Sequence, residues 1–273
     1  MQNPKYMLAS ITGNFKILGV IADPVSQART PAMANALLQE RGLLGDCVML
    51  PMQVSAEGFP AFIAGLRALK NFEGAVVSMP HKVVAARLVD ELTPEARLVG
   101  AVNVVRRNRD GRLIGTILDG EGFVAGLAGA GYNVKGAHVL LVGAGGAASA
   151  IAFALAKHGC ASLCIQNRTP ERASTLLARV SHAYPQVEIS TEVYSNWHYD
   201  VAINATSLGM KPNDDLPIAK PMIRRCDLVA ECIIAPEMTP LLQEASGQGK
   251  VIHTGVPMLA AQMNLMLAFM GAE

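Results

Sequence analysis

The chemistry of this chain is most legible at Gly143, Gly145 and Ala148, which stand at the spacing G-x-G-x-x-G/A within Val139–Ser149. Glycine first permits a tight turn. A second glycine lets the backbone approach a pyrophosphate, and a small third residue lets the following helix lie close to the sheet. The turn (Gly143, Ala144, Gly145, Gly146, Ala147) would present N–H groups and the positive end of a helix to phosphate. About two dozen residues on, where a dinucleotide-binding unit that takes NAD places an acid for the ribose 2′-hydroxyl, this chain has Asn167-Arg168-Thr169-Pro170-Glu171-Arg172. A guanidinium can hold a 2′-phosphate bidentately. Arg172, four residues after Arg168, can approach the same phosphate. The pattern implies NADP rather than NAD.

These residues need strands and helices to place them. His138 to Val142 reads as a strand and Ser149 to Lys157 as a helix of small residues. Ala161 to Gln166 is a second strand, and Pro170 suits the first turn of the next helix. Upstream, strands are expected at Phe15 to Ile21, Cys47 to Met52 and Ala75 to Ser78. Helices are expected from Pro31 to about Arg41 with Thr30 as N-cap, at Phe59 to Lys70, from Pro80 to Leu88, and after Thr93-Pro94. Val102 to Arg107 and Leu113 to Gly115 flank an Asp110-Gly111 turn and read as a hairpin. Downstream, Val201 to Ile203, Leu228 to Ile234 and Val251 to His253 read as strands. A helix begins at Thr239, and a methionine-rich one spans Met258 to Met270, with Met258, Met263, Met266 and Met270 as core. The alternation predicts an α/β chain of two domains, the first on a mostly parallel sheet and the second a doubly wound, Rossmann-type one.

Composition narrows the function classes. The 273 residues are 51% hydrophobic and 16% charged, with a net charge of +1. A sizeable core is affordable, and no basic footprint for nucleic acid stands out. No apolar run reaches the roughly 18 residues of a membrane span, and no secretory leader is evident. Cys47, Cys160, Cys164, Cys226 and Cys232 are odd in number and not spaced as a zinc site, so no metal is expected. Reduced thiols in a cytoplasmic protein are the simplest expectation.

Taken in order, several segments resemble the shikimate/quinate dehydrogenase family. They are the loop before Pro31, Ser78-Met79-Pro80-His81-Lys82, Gly100-Ala101-Val102-Asn103, Asp119-Gly120, the glycine turn, Asn167-Arg168-Thr169, the loop from Asn204 to Met210, and Gln262. The resemblance implies a substrate domain of residues 1–118 completed by 257–273, and an NADP domain of residues 119–256. It implies Lys82 and Asp119 as the catalytic pair, and substrate contacts from Thr30, Ser78, Asn103, Asp119 and Gln262. Ser78 takes a position where the family usually has threonine. Beyond the glycine turn and Asn167, Arg168, Thr169 and Arg172, the resemblance implies cofactor contacts from Thr206, Ser207, Met210, Leu228 and Gly255. It also implies a small hydroxy-acid substrate, no nucleic-acid or membrane partner, a monomer or homodimer, and a place in aromatic amino acid biosynthesis.

The implied chemistry suits the residue types. Oxidising a ring hydroxyl to a ketone releases a hydride, which the nicotinamide takes, and a proton, which a positioned side chain must take. Lys82 follows Pro80 near a helix start just beyond a strand, and a nearby carboxylate such as Asp119 would orient it. Departures from the family pattern cluster in the substrate half. Gln27 and Ala28 stand for the loop's histidine and first serine, Thr30 for the second serine. Val76 stands for an asparagine, Ile117-Leu118 for Asn-Thr, and Ala230 for a substrate-contacting tyrosine. Losing a hydrogen bond to a charged group weakens binding by roughly 1.5–3 kcal/mol. The expectation is therefore weak activity on shikimate or a shifted preference, with Arg29 as a new carboxylate partner if it points inward. A quinate or other alicyclic hydroxy-acid dehydrogenase is one alternative, and a non-catalytic dinucleotide-binding sensor is another.

Overall fold

A computed structural model describes residues 12–193, 197–211 and 213–272. The chain divides into two compact units. One comprises residues 1–97, 101–116 and 263–273; the other comprises residues 98–100 and 117–262.

In the first unit, β1 (Lys16–Ala22), α1 (Thr30–Glu40), β2 (Cys47–Gln53), α2 (Phe59–Ala68), β3 (Phe72–Val77), α3 (Lys82–Leu88), β4 (Glu91–Leu92), α4 (Pro94–Val99), β5 (Val104–Arg107) and β6 (Leu113–Thr116) follow in order; residues 98–99 of α4 are counted with the second unit. The six-stranded sheet runs β2-β1-β3-β5-β6-β4. Its centre is parallel, with Leu18 beside both Met49 and Gly74. The expected mostly parallel pattern holds with one exception, because β5 alone runs against the other five strands and β4 pairs parallel with β6. β5 and β6 form the hairpin read at Asp110-Gly111, with Gly111 at φ +89° closing the turn; β5 lies antiparallel beside β3, which returns β6 to the direction of the other strands. Central β1 ends in a fully buried run, Leu18 to Ala22, which is why it reads as apolar rather than alternating.

Two helix starts differ from expectation. Thr30 is the first helical residue of α1 and not its N-cap; that place falls to Arg29, whose side chain makes no capping bond. Pro31 lacks a backbone donor and so needs no cap for its own nitrogen. The helix expected from Pro80 begins at Lys82, because residues 79–81 first turn, with the His81 N–H donating to Ser78 O (2.9 Å).

The second unit holds α5 (Asp119–Gly129), β7 (His138–Val142), α6 (Gly146–Lys157), β8 (Ser162–Gln166), α7 (Pro170–Ala183), β9 (Glu188–Ser190), β10 (Tyr199–Asn204), α8 (Lys220–Ile223), β11 (Cys226–Glu231), α9 (Pro240–Gly247), β12 (Val251–His253) and α10 (Val256–Phe269), whose last residues belong to the first unit. All six strands are parallel in the order β12-β11-β10-β7-β8-β9. The chain leaves β7 toward β8 on one side and later returns to β10 on the other. The strand order therefore reverses between β7 and β10, the place where such sheets bind dinucleotides. On one face Leu140, Ala202 and Val229 pack with Ile223, Leu241 and Leu242. Met258, Met263 and Met266 of α10, and Met270 just past its end, are all buried, as their spacing predicts. No described helix is long and apolar enough to cross a membrane.

Candidate functional site

In the first unit, four of the expected residues gather at the carboxyl edge of β1 and β3. Ser78 follows β3, and its N–H donates to Ile21 O of β1 (2.8 Å). The Asp23 N–H reaches Met79 O (3.0 Å), tying the loop after β1 to the turn before Lys82. Thr30, at the end of that loop, is buried. Asn103 is 1% exposed, and its carbonyl accepts from the Val77 N–H (2.7 Å). Next to it, the Val102 N–H donates to Lys82 O (2.9 Å), so the backbone links Lys82 directly to the residue beside Asn103. The turn that aims Lys82 is anchored by His81. That ring is buried, stacks on Phe59 at 4.2 Å and places Nε2 2.8 Å from Val54 O. Arg29, Gln27 and Ser26 are exposed.

In the second unit, Asp119 is the first residue of α5 and is 4% exposed; Leu118 occupies the N-cap place. Gln262 of α10 is buried against the same first turn. A Cβ on Gly122 would lie 2.8 Å from Gln262 Cβ, so glycine is what lets the two helices meet there.

The remaining sites sit at the carboxyl edge of the second sheet. Gly143 takes φ +126°, and a Cβ there would lie 2.7 Å from Ala205 O, so neither the conformation nor the space admits a side chain. Gly145 is the N-cap of α6, which starts at Gly146, three residues earlier than the sequence pattern implies. No side chain caps this helix, which leaves its first N–H groups to meet an anion. Ala148 is fully buried beneath the turn, as the fingerprint requires. After β8, Asn167 Nδ2 donates to Thr169 O (2.9 Å), fixing a bend from which Arg168 and Arg172 project into solvent. After β10, Thr206, Ser207 and Met210 lie on the turn that passes over Gly143. Gly255 packs where a Cβ would lie 2.4 Å from Ile233 O, in the loop after β12.

Two positions fall elsewhere. Leu228 is buried in mid-strand, three residues short of the end of β11, and pairs with Val201. It builds the sheet and does not stand among the edge residues. Ala230 is likewise fully buried, between Ile203 and His253. Sequence reasoning missed Glu231, a fully buried carboxyl whose acid is pushed up to about 7 by burial, against hydrogen bonds from Asn204 and Thr239. Among the described residues no cluster of three or more His, Cys, Asp or Glu is arranged for a metal ion.

An all-parallel sheet with a glycine turn at its switch point, an uncapped helix start behind it and arginines after the second strand defines the second unit as a dinucleotide-binding α/β domain. Residues 20–105 match the family description "Shikimate dehydrogenase substrate binding domain", and residues 127–211 match "Shikimate / quinate 5-dehydrogenase". The chain is 37% identical to a shikimate dehydrogenase (NADP(+)) of Geobacter metallireducens, over 94% of this chain and 92% of that one. Among solved structures it is similar to a shikimate 5-dehydrogenase from Thermus thermophilus in complex with NADP(H) and shikimate (TM-score 0.82, 29% identity, 94% of each chain). It is also similar to a ligand-free 5-ketofructose reductase of Gluconobacter (TM-score 0.82, 30% identity, 96% and 95% of the two chains). The chain belongs to the shikimate dehydrogenase family, and is an oxidoreductase.

Proposed function

We propose that the chain is an NADP-dependent dehydrogenase that interconverts a ring hydroxyl and a ketone of the shikimate/3-dehydroshikimate type. The observation that carries this reading is the joint retention of Lys82 and Asp119 in a chain that matches the family over both halves. A protein that only binds ligands has no need of a proton-transfer pair. The first unit acts as the substrate domain and the second as the cofactor domain.

When bound, the nicotinamide accepts or returns the hydride. The residues present fit that cofactor: Gly143 leaves room that a Cβ would close, the start of α6 offers N–H groups to the pyrophosphate, and Arg168 with Arg172 meets the 2′-phosphate. Lys82 takes the hydroxyl proton as the ketone forms and returns it in the reverse direction, and Asp119 orients the ammonium. Thr30, Ser78, Asn103 and Gln262 hydrogen-bond the ring substituents. Ala28, where the resemblance implies a serine, offers no hydroxyl, which favours weak shikimate turnover or a related substrate.

The test is reduction of NADP, followed by nicotinamide absorbance, with shikimate, quinate and a panel of ring hydroxy acids, and NAD in parallel. The panel includes polyols, because a neighbour of similar fold and identity is a ketosugar reductase. Turnover with a ring hydroxy acid and a preference for NADP are expected. Measurable NADP binding without turnover on any ring hydroxy acid would overturn the reading.

A further inference from the structure

Glu231 ends β11 with its side chain fully buried. A carboxyl in such a place is costly unless its oxygens are met by donors. Here they are met by neutral groups. Asn204 Nδ2 donates to both oxygens (3.1 and 3.0 Å), and the Thr239 hydroxyl donates to Oε1 (2.7 Å). These two donors belong to different parts of the same edge. Asn204 ends β10 and is itself fully buried. Thr239 is the N-cap of α9, where its hydroxyl accepts from the Leu242 N–H (3.3 Å).

What Asn204 does with its remaining valences links the carboxyl to the cofactor edge. Its Oδ1 accepts from the Thr206 N–H (3.0 Å) and the Thr206 hydroxyl (2.7 Å), and its Nδ2 also donates to Leu208 O (2.9 Å). The Thr206 hydroxyl in turn accepts from the Leu208 N–H (3.0 Å). One amide side chain therefore dictates the path of residues 205–208. That path bears on Gly143: the Ala205 N–H donates to Val142 O (2.8 Å), and Ala205 O sits where a Gly143 side chain would be. Thr239 touches the far end of the same turn, since a Cβ on Gly209 would lie 3.4 Å from Thr239 Cβ. An Asn side chain can be flipped end for end. The Thr206 N–H and Leu208 O set Oδ1 toward Thr206 and Nδ2 toward Leu208, and the Glu231 carboxylate, an acceptor on the Nδ2 side, holds the amide in that same orientation.

We propose that Glu231 is a positioning residue for the dinucleotide: it clamps Asn204 and Thr239, and through them holds the turn after β10 that borders the glycine loop. The proposal rests on the reading of the second unit as a dinucleotide-binding domain. A purely structural role would move stability alone. A positioning role moves cofactor affinity while leaving the reacting groups intact.

The decisive variant is Glu231→Gln, whose amide brings donors against those of Asn204 and Thr239. At a pH of about 8, above the value of about 7 to which burial raises the wild-type acid, so that its carboxyl is mostly ionised, the variant's Kd and KM for NADP are expected to rise about tenfold or more. With NADP saturating, kcat should stay within about threefold of wild type. Should that variant fail to fold, Thr239→Val removes one donor and Thr239→Ser keeps it. NADP affinity should then fall in the first and be restored in the second. Wild-type NADP affinity in folded Glu231→Gln, with or without a lowered melting temperature, would overturn the proposal, as would unaltered affinity in Thr239→Val. If the wild-type protein bound no dinucleotide at all, the functional reading itself would fall, and the two failures are thereby distinguishable.

Discussion

Lys82 and Arg168 carry separable tasks, and single substitutions should separate them. Replacing Lys82 by alanine removes the group proposed to move the proton, a contribution of about 10²–10⁴ in rate. Lys82→Ala should therefore lose turnover by that factor while its Kd for NADP stays near wild type, as calorimetry would show. On the proposed reading Arg168 acts on the cofactor's 2′-phosphate. Losing a charge-assisted hydrogen bond costs about 1.5–3 kcal/mol, so Arg168→Ala should raise KM for NADP more than about tenfold and leave KM for NAD nearly unaltered. Equal losses with both cofactors would show that the arginine does not read the phosphate. Both residues were visible in the sequence because each stands in a short motif of fixed order. Glu231 was not. An acid at the end of an apolar strand looks like any solvated acid until the fold shows it fully buried between Asn204 and Thr239. His81 was visible as a motif letter, but its role in anchoring the turn before Lys82 depends on Phe59 and Val54, more than twenty residues away in sequence.

Helix-to-helix contact at the start of α5 depends on a glycine whose role composition alone could not reveal. A Cβ on Gly120 would lie 2.1 Å from Ala150 O and 2.8 Å from Ala154 Cβ, against the backbone of α6. Neither neighbour is the flexible end of a side chain, so the helices must part. Overpacking of this kind costs about 1–3 kcal/mol. Gly120→Ala should lower the unfolding free energy by at least that much in a urea titration. Because Asp119 is the adjacent residue and opens the same helix, kcat should fall as well. An unperturbed midpoint would mean that α5 and α6 are not packed this closely. Most elements were legible because apolar strands and small-residue helices alternate with clear breaks. The errors have local causes. Pro80 and Thr30 carry helix-start signals, yet the residues around Pro80 turn once before the helix forms, and Thr30 is drawn inside α1. The strand expected from Leu228 to Ile234 ends at Glu231; apolar residues continue past the last paired position and give no sign of where it stops.

At the scale of the whole molecule, buried and paired acids divide the pH axis between them. Asp90 is held below the ordinary carboxylate value chiefly by the Leu113 N–H. Glu121 is also held below it: desolvation opposes this, but hydrogen bonds from Lys157 and His158 prevail. A depressed acid binds fewer protons folded than unfolded, so these two stabilise the fold above the unfolded pKa and lose that effect as pH falls through their folded values. Glu231 has the opposite sign. Its acid rises from 4.5 to about 7 in the fold, so between those values the folded state binds the extra proton. Stability must therefore decline as pH rises across that window and level off above it. At 1.36 kcal/mol for each pH unit, the decline amounts to about 3 kcal/mol. Glu231→Gln removes the titrating group and keeps the shape. The quantity to measure is the difference in unfolding free energy between wild type and this variant, by denaturant titration at pH values on either side of the window. On the acid side wild type should hold its greatest advantage, because its protonated carboxyl is neutral like the amide and still accepts hydrogen bonds. Across the window that advantage should shrink by about 3 kcal/mol. A difference that stays flat would mean that the Asn204 and Thr239 donors offset burial and leave Glu231 ionised across that window. The carboxylate would then be available to hold the turn after β10 from about pH 5 upward.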